Sequence, residues 1–286
     1  MDEIDKLFGE TKANEHKAYD KNEWVAKKKA ERAETFELID TAAGEMTDPD
    51  KLEAYLDMQS QFDRYSVANA LLVAKQMPQA TRLADATTWQ ASGSYIKKGE
   101  KSIVIIEPGE EYQKDDGTRG MRYNTKRVFD VTQTTAEIKA ERKPKLDDKA
   151  LVTALVKASP VDIRISSELP EGSAAIYMPE KKAILIRQGM DGKDIFRALS
   201  FEIAHAKLDR GNYSRSNCDL SAFCTAYLTC RRYGVEPGKY NLRSLPFKGV
   251  EAKEIRTQLS AVRENANAIA NTITKALETK NKEQAR

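Results

Sequence analysis

Histidine is scarce in this sequence, since the 286 residues contain only His16 and His205. A catalytic zinc site takes three protein ligands, and histidine is a frequent one. Cysteine is scarce too, with three residues at Cys218, Cys224 and Cys230. An odd number of cysteines at spacings of six predicts neither a disulfide framework nor a zinc finger. We therefore expect three buried structural thiols.

Long apolar runs are also missing, since no stretch approaches the ~18–20 apolar residues that a membrane span requires. The first five residues, MDEID, are acidic where a signal peptide is basic, so we expect a cytoplasmic protein with no membrane partner. The formal charge of +3 is too small to predict a nucleic-acid partner by itself. A charged fraction of 32% beside 40% hydrophobic residues is typical of a globular, helix-rich chain.

The hydrophobic pattern predicts an α+β protein of two domains. Helices packed on a small antiparallel sheet come first, with a strand that is predicted to end at Pro108 and a turn at Asp115, Asp116 and Gly117. A helix, three short strands, two further helices and a long C-terminal helix follow. The predicted divisions are an N-terminal arm at 1–20, a first domain at 21–135, a charged linker at 136–149 and a second domain at 150–286.

Two of the predicted helices carry one-sided patterns. The helix at about 22–43 includes Trp24 in its apolar pattern and carries a basic patch, which we interpret as a solvated helix face. The tail at 250–280 carries an apolar seam at alternating spacings of four and three. We expect the seam to pack within the chain, with self-association through residues 250–280 as the alternative. The basic patch comprises Lys27, Lys28, Lys29 and Arg32, and the seam comprises Ile255, Leu259, Val262, Ala266, Ile269, Ile273 and Leu277.

Five short motifs follow one another between residues 65 and 134. They are YSVANALL at 65–72, ATR at 80–82, TWQ at 88–90, KKGEK at 97–101 and FDVTQT at 129–134. In order and spacing they resemble the N-terminal single-stranded-DNA-binding domain of ArdC-type antirestriction proteins, a family carried by plasmids and integrative elements. The resemblance covers roughly residues 20–135. It implies a sequence-nonspecific single-stranded-DNA-binding protein of a mobile element, which protects incoming DNA from host restriction during transfer.

Non-specific binding of single strands requires cations along the phosphates and rings on which bases can stack. The lysines around Gly99 have no packing role, so we interpret them as phosphate contacts. Tyr95, Tyr112 and Tyr123 are candidate stacking rings. Trp89 and Tyr65 are candidates as well, although both also suit the core of a small domain. The predicted nucleic-acid contacts are Tyr65, Asn69, Arg82, Trp89, Lys97, Lys98, Lys101, Arg122 and Lys126.

The stretch LSFEIAHAKLD at 199–209 resembles the H-E-x-x-H helix of zinc peptidases. In that motif two histidines one turn apart bind the metal and the glutamate activates water. Glu202 and His205 match the glutamate and the second histidine, but Phe201 stands in place of the first histidine. The helical repeat places Phe201 on the side of Glu202 and His205. With its flanking strands and helix, the second half resembles the peptidase domain of ArdC-like proteins and the ImmA/IrrE-type peptidases.

We therefore predict a degenerate zincin-like domain without catalytic residues, in which Glu202 and His205 remain as a hydrogen-bonded pair. No cofactor is expected; if zinc binds, the ligands would be His205, Asp209 and Asp219. Two alternatives stay open. One is a zinc-dependent metallopeptidase that uses this altered ligand set with Glu202 as the base. The other is a pseudo-peptidase whose partner is a host protein.

Overall fold

The computed structural model describes residues 21–138, 147–238 and 246–284. These residues form eight α-helices and two three-stranded sheets, which confirms the predicted α+β class. None of the helices in the described ranges is both long and apolar enough to cross a membrane. The predicted N-terminal arm at 1–20 lies outside the described residues, as does most of the predicted linker at 136–149.

The N-terminal half, residues 21–138, packs helices against an antiparallel sheet. Its elements are α1 (Lys21–Gly44), α2 (Pro49–Gln61), α3 (Val67–Gln76), β1 (Leu83–Ala84), α4 (Ala86–Ala91), β2 (Ile103–Gln113) and β3 (Arg119–Asp130). Strand β3 lies between β1 and β2. The carboxylate of Asp48 caps α2 by accepting from two backbone N–H groups, and the hydroxyl of Ser66 caps α3. Local capping therefore begins both helices.

The β2–β3 hairpin is longer than predicted. The sequence predicts a strand that ends at Pro108, but β2 continues to Gln113, with a register shift between Pro108 and Glu111. The prediction is wrong because β2 lies at the edge of the sheet, where a proline at a bulge is tolerated. The predicted turn is confirmed: Gly117 adopts a φ of 80°, and the Lys114 N–H donates to the Thr118 carbonyl over 2.8 Å.

Two amide side chains of α3 cover the free edge of β2. Asn69 donates from Nδ2 to the Ile106 carbonyl over 2.8 Å and accepts from the Ile106 N–H at Oδ1 over 2.9 Å. Gln76 makes the same pair of bonds with Val104, at 2.8 and 2.9 Å. These bonds satisfy backbone groups that an edge strand would otherwise offer to another chain.

The C-terminal half, residues 147–284, follows the predicted order of elements. They are α5 (Asp148–Val156), β4 (Asp162–Ile165), β5 (Ala175–Met178), β6 (Ala183–Ile186), α6 (Gly192–Leu208), α7 (Arg215–Arg232) and α8 (Ala252–Gln284). Strand β6 lies in the centre of this sheet, parallel to β4 and antiparallel to β5. One face of the sheet packs against α6, so the motif-bearing helix lies directly beside β5.

Helix α8 contributes to two hydrophobic cores. The side chains of its first half join the core that α1, α2, α3 and α7 form. The next two buried isoleucines join the core between α5, α6 and the second sheet. The buried members of the seam are Ile255, Leu259, Val262, Ala266, Ile269 and Ile273. The seam is thus packed within its own chain, as expected, and is not available for the alternative, pairing with a second copy.

Charged contacts connect the same two halves. Asp57 on α2 accepts from Arg231 of α7 over 2.8 and 3.2 Å, and from the Tyr227 hydroxyl over 2.7 Å. Arg232 pairs with Asp63 over 2.6 Å. The predicted domain boundaries stay predictions, but the described residues of the two halves share one core and a set of ion pairs.

The three cysteines are all free thiols. Cys224 and Cys230 are buried as predicted, and burial raises the pKa of both thiols to about 12. Neither is therefore a reactive thiolate near neutral pH. Cys218 lies in the first turn of α7, before the buried part of that helix, and is only half-buried. The prediction of burial is therefore wrong for this residue.

We expect Leu259→Ala to lower the free energy of unfolding by about 2–5 kcal/mol, because the side chain is fully buried. Since α8 belongs to both cores, both halves should unfold in one transition. Urea unfolding followed by tryptophan fluorescence reports the N-terminal half, and far-ultraviolet circular dichroism reports all helices. Lys253→Ala, at an exposed position of α8, is the control, with a change within about 0.5 kcal/mol. Separate transitions for the two signals would contradict the shared core.

Candidate functional site

Helix α6 presents the peptidase-like residues to β5 and α7. The Asp191 carboxylate caps its start by accepting from two backbone N–H groups at 2.9 Å each. Leu199 and Ile203 are buried in the core of the C-terminal half. Their burial turns Glu202 and His205 toward the neighbouring face, where both side chains are almost completely enclosed.

Glu202 is a buried carboxylate held by a bidentate ion pair. Arg215, at the start of α7, donates from Nη1 to Oε2 over 2.9 Å and from Nη2 to Oε1 over 2.6 Å. The backbone N–H of Tyr177 on β5 adds a third bond of 2.6 Å. A carboxylate that is 2% exposed requires such partners, because desolvation without them is costly. His205, the partner that the sequence predicts for Glu202, forms its contacts elsewhere, so that prediction is wrong.

His205 is fully enclosed and neutral. Its Nδ1 lies 2.9 Å from the Tyr213 hydroxyl. Its Nε2 lies 3.2 Å from Asp219 Oδ1, but the geometry does not make a hydrogen bond, so this nitrogen is a buried polar atom without a partner among the described residues. Burial, reinforced by the nearby charge of Arg215, lowers the pKa of His205 from 6.5 to about 3.

Phe201 fills the position of the missing histidine. Its ring contacts the His205 ring edge-on, with centroids 4.6 Å apart. The Arg215 guanidinium lies 5.6 Å from the centroid of the Phe201 ring. The prediction that Phe201 faces the side of Glu202 and His205 is confirmed by these contacts. An aromatic ring and a guanidinium therefore occupy the space around the motif.

The alternative ligand set of His205, Asp209 and Asp219 is not assembled around one point. Asp209 ends α6, where it accepts from the Tyr177 hydroxyl over 2.7 Å and from the Gly211 N–H over 2.9 Å. Asp219 lies between His205 and Arg215, 3.9 Å from the Nε of Arg215. Nowhere in the described ranges do three His, Cys, Asp or Glu side chains form a group that could hold a metal ion.

The residues present therefore do not fit a metal ion at this motif. Arg215 already supplies the positive charge between Glu202 and Asp219, and it occupies both carboxylate oxygens of Glu202. The sequence did not predict that Arg215 and Tyr177 bind Glu202, or that Tyr213 contacts His205. One signal was present: a cation in the first turn of a helix opposes the helix dipole, so Arg215 needs an acidic partner.

Several predicted nucleic-acid contacts are engaged within the N-terminal half. Trp89 is 3% exposed and donates from Nε1 to the Phe129 carbonyl over 3.0 Å. The indole therefore belongs to the core. The Arg82 guanidinium lies 4.8 Å from the centroid of that indole. Tyr65 is half-buried and stacks on Phe62, with centroids 5.2 Å apart.

Two further predicted contacts have partners inside the chain. Both the nitrogen and the oxygen of the Asn69 side-chain amide form hydrogen bonds with the backbone of Ile106. Lys126 lies 3.1 Å from Asp85 and 3.4 Å from Glu107, and these carboxylates raise the pKa of its ammonium group. Phosphate contact by Lys126 would compete with both carboxylates, whereas Asn69 has a structural role in covering β2.

The lysine loop, residues 97–101, presents its cations to solvent. The Gln133 side chain holds the loop by donating to the Lys101 carbonyl over 2.8 Å, and Lys97 donates from Nζ to the Thr132 carbonyl over 2.9 Å. Gly99 adopts a φ of 90°, which favours glycine at the tip. Lys98 and Lys101 are exposed and form no ion pair with any residue that the structure describes. Tyr95, two residues before the loop, is 61% exposed.

The outer part of the β2–β3 hairpin carries a second exposed set of rings and cations. Arg122 lies over the ring of Tyr112, 5.4 Å from its centroid. Gly120 permits this placement, because a Cβ there would come within 2.6 Å of the Tyr112 ring. Tyr123 is also exposed. Arg122, Tyr112 and Tyr123 therefore face solvent, as a nucleic-acid contact requires.

Comparison with solved structures finds proteins of similar fold. The metal-free crystal structure of the antirestriction ArdC protein from the R388 plasmid superimposes with a TM-score of 0.60 at 17% identity, covering 83% of this chain and 98% of that one. Its Mn(II)-bound structure gives a TM-score of 0.50 at 16% identity, covering 84% and 94%. The ArdC-like fold that the sequence predicts is thus confirmed.

Sequence comparison adds one curated relative, and no protein-family profile matches the chain. The uncharacterised protein pXO2-81 of Bacillus anthracis is 23% identical over an alignment of 332 positions. The alignment covers 91% of this chain and 54% of that protein. The chain therefore spans about half the length of this relative.

We expect Arg215→Met to destabilise the protein by about 3–5 kcal/mol, because it leaves the Glu202 carboxylate buried without a cation. Glu202→Gln should cost less, since the half-exposed Arg215 can then turn to water or Asp219. The double variant should be more stable than Arg215→Met alone. Urea unfolding of the four proteins measures this cycle. Equal stability of Arg215→Met and the wild type would contradict the role of Arg215.

Proposed function

We propose that the protein binds single-stranded DNA without sequence preference through its N-terminal half and acts in antirestriction. The observation that carries this proposal is the lysine loop, in which Lys97, Lys98 and Lys101 are exposed on a backbone that Gln133 holds in place. Ammonium groups so placed bind phosphates, and the exposed ring of Tyr95 offers a base a stacking surface.

The shared fold supports the antirestriction role, since the R388 protein is named for that activity. A protein that covers single-stranded DNA as it enters a cell keeps it from enzymes that act on exposed DNA. The protein would do so in the cytoplasm, on behalf of the mobile element that carries it.

The C-terminal half serves as a scaffold of peptidase origin without catalysis. A zinc peptidase needs a glutamate that is free to take a proton from metal-bound water. Here both oxygens of Glu202 accept from Arg215, and Phe201 removes one ligand. These contacts favour a scaffold over the metallopeptidase alternative. The host-protein alternative remains a hypothesis about the surface of this half.

Changing Lys97, Lys98 and Lys101 together to alanine should weaken single-strand binding. Log affinity falls with log salt, and each lost phosphate contact reduces the steepness of that fall by about 0.7, so the three changes should reduce it by about 2. Fluorescence anisotropy with labelled oligothymidylate at several salt concentrations measures this, beside a labelled duplex. The matched control replaces Lys149, Lys157 and Lys193, three exposed lysines of the C-terminal half. No salt-sensitive binding by the wild type would overturn the proposal, and an unchanged triple variant would remove the loop from it.

Metal analysis tests the scaffold. We expect purified protein to contain no stoichiometric zinc or manganese, and its melting temperature to stay unchanged with either ion or with a chelator. An ion present at a hundred times its Kd would stabilise the fold by about 2.7 kcal/mol, which a melting curve detects easily. A stoichiometric metal whose removal lowers the melting temperature would favour the metallopeptidase alternative instead.

A further inference from the structure

A groove of about 510 Å³ runs between the start of α1 and the outer part of β3. None of its lining residues belongs to the lysine loop or to the peptidase-like motif. Its walls carry four cationic side chains and an indole, and no carboxylate is among the described residues that line it. The lining residues are Trp24, Val25, Lys28, Lys29, Arg32, Arg122, Asn124 and Thr125.

The α1 wall of the groove exposes a large aromatic ring. Trp24 is 49% exposed and Val25 is 50% exposed, although the sequence places Trp24 in an apolar pattern. Lys28 and Arg32 follow Trp24 at spacings of four, so the three share one face of the helix. Lys29 lies beside them. The indole is therefore flanked by cations along the helix axis.

The charge in this groove is only partly compensated. Lys28 pairs with Glu31 over 2.9 Å, which neutralises one cation at the rim. Lys29 and Arg122 form no ion pair with any part of the chain that the structure describes. Arg32 donates from Nη2 to Asn124 over 3.2 Å, while its Nε is a buried donor without an acceptor among the described residues. A wall with an unsatisfied donor and unpaired cations is suited to an anionic ligand.

The β3 wall is built to hold its cation in place. Arg122 and Asn124 point to the same face of the strand, since side chains alternate along β3. The Arg122 guanidinium lies over the ring of Tyr112, and Gly120 gives that ring its space. If the basic patch of α1 were only a solvated helix face, the presence of Arg122 and Asn124 on the opposite wall would remain unexplained.

We propose that this groove is a second contact site for single-stranded DNA, in which a base stacks on Trp24 and the adjacent phosphates contact Lys29, Arg32 and Arg122. This proposal rests on the proposed function and adds a site to it. An exposed ring beside cations matches the two parts of a nucleotide, the base and its phosphate. Bases in a duplex are stacked on one another, so the ring also favours single strands.

The two tryptophans make the contact directly measurable. Trp24 is exposed and Trp89 is buried at 3% exposure, so a quencher that stacks on the surface reaches only Trp24. Adding unlabelled oligothymidylate to the full chain should quench the emission and shift what remains to shorter wavelength. Trp24→Phe, a conservative change at an exposed position, should abolish the quenching. Quenching that persists in Trp24→Phe would overturn the proposal.

Affinity measurements on full-length variants give a second readout. Trp24→Ala should weaken binding by roughly 5- to 150-fold, the effect expected from loss of one stacked base. Changing Lys29 and Arg122 to alanine should reduce the salt slope by about 1.4. Lys253→Ala with Lys275→Ala, two exposed cations of α8, is the matched control and should leave the affinity unchanged.

The two proposals fail in different ways. A wild-type protein that does not bind single strands would overturn the proposed function. If the wild type binds and loses affinity with the lysine-loop variant, while the groove variants bind as the wild type does, this inference alone fails. Binding that is equally tight for a duplex, with Trp24 unquenched, would also overturn it.

Discussion

The apolar seam of α8 is the constraint on which the rest of the structure depends. Ile255 and Leu259 pack among α1, α2 and α3, whereas Ile269 and Ile273 pack on α5 and α6. Each fully buried side chain of this size stabilises the fold by about 1.5–3 kcal/mol, so the seam ties the two halves together strongly. The core of the N-terminal half therefore requires the C-terminal helices α7 and α8, whether or not the motif on α6 performs any reaction.

Within the C-terminal half, the buried carboxylate of Glu202 imposes its own requirement for positive charge. A metal ion can meet that requirement, and in this chain the guanidinium of Arg215 meets it. Phe201 alone would leave Glu202 without a cation, and Arg215 beside a metal would repel the ion. Together they fill the motif with an ion pair and an edge-on ring.

Local patterns predicted the elements well, and contacts between distant elements decided the rest. The bounds of α6 and the seam of α8 follow from periodicity and capping, which any single helix displays. Arg215 could not be assigned to Glu202, because the two belong to different helices. The sequence predicts that the strand ends at Pro108, because the position of β2 at the edge of the sheet is visible only in the tertiary structure. Trp24 and Trp89 look alike in the sequence, yet packing buries one and exposes the other.

The placement of the basic groups along β3 sets a length scale for the proposed DNA site. Asp130 follows Arg122 by eight positions along β3, a distance of about 27 Å at ~3.4 Å per residue. The lysine loop is bonded to the segment that follows Asp130, through Thr132 and Gln133. A single DNA strand that contacts both the groove and the loop would need about eight nucleotides at a rise of ~3.4 Å per nucleotide. A stretched DNA strand would need fewer. That length lies within the ~4–16 nucleotides that single-strand-binding domains occupy. The two surfaces are therefore close enough for one short DNA strand to contact both, and contacts at both surfaces would bind the strand more tightly than contacts at one.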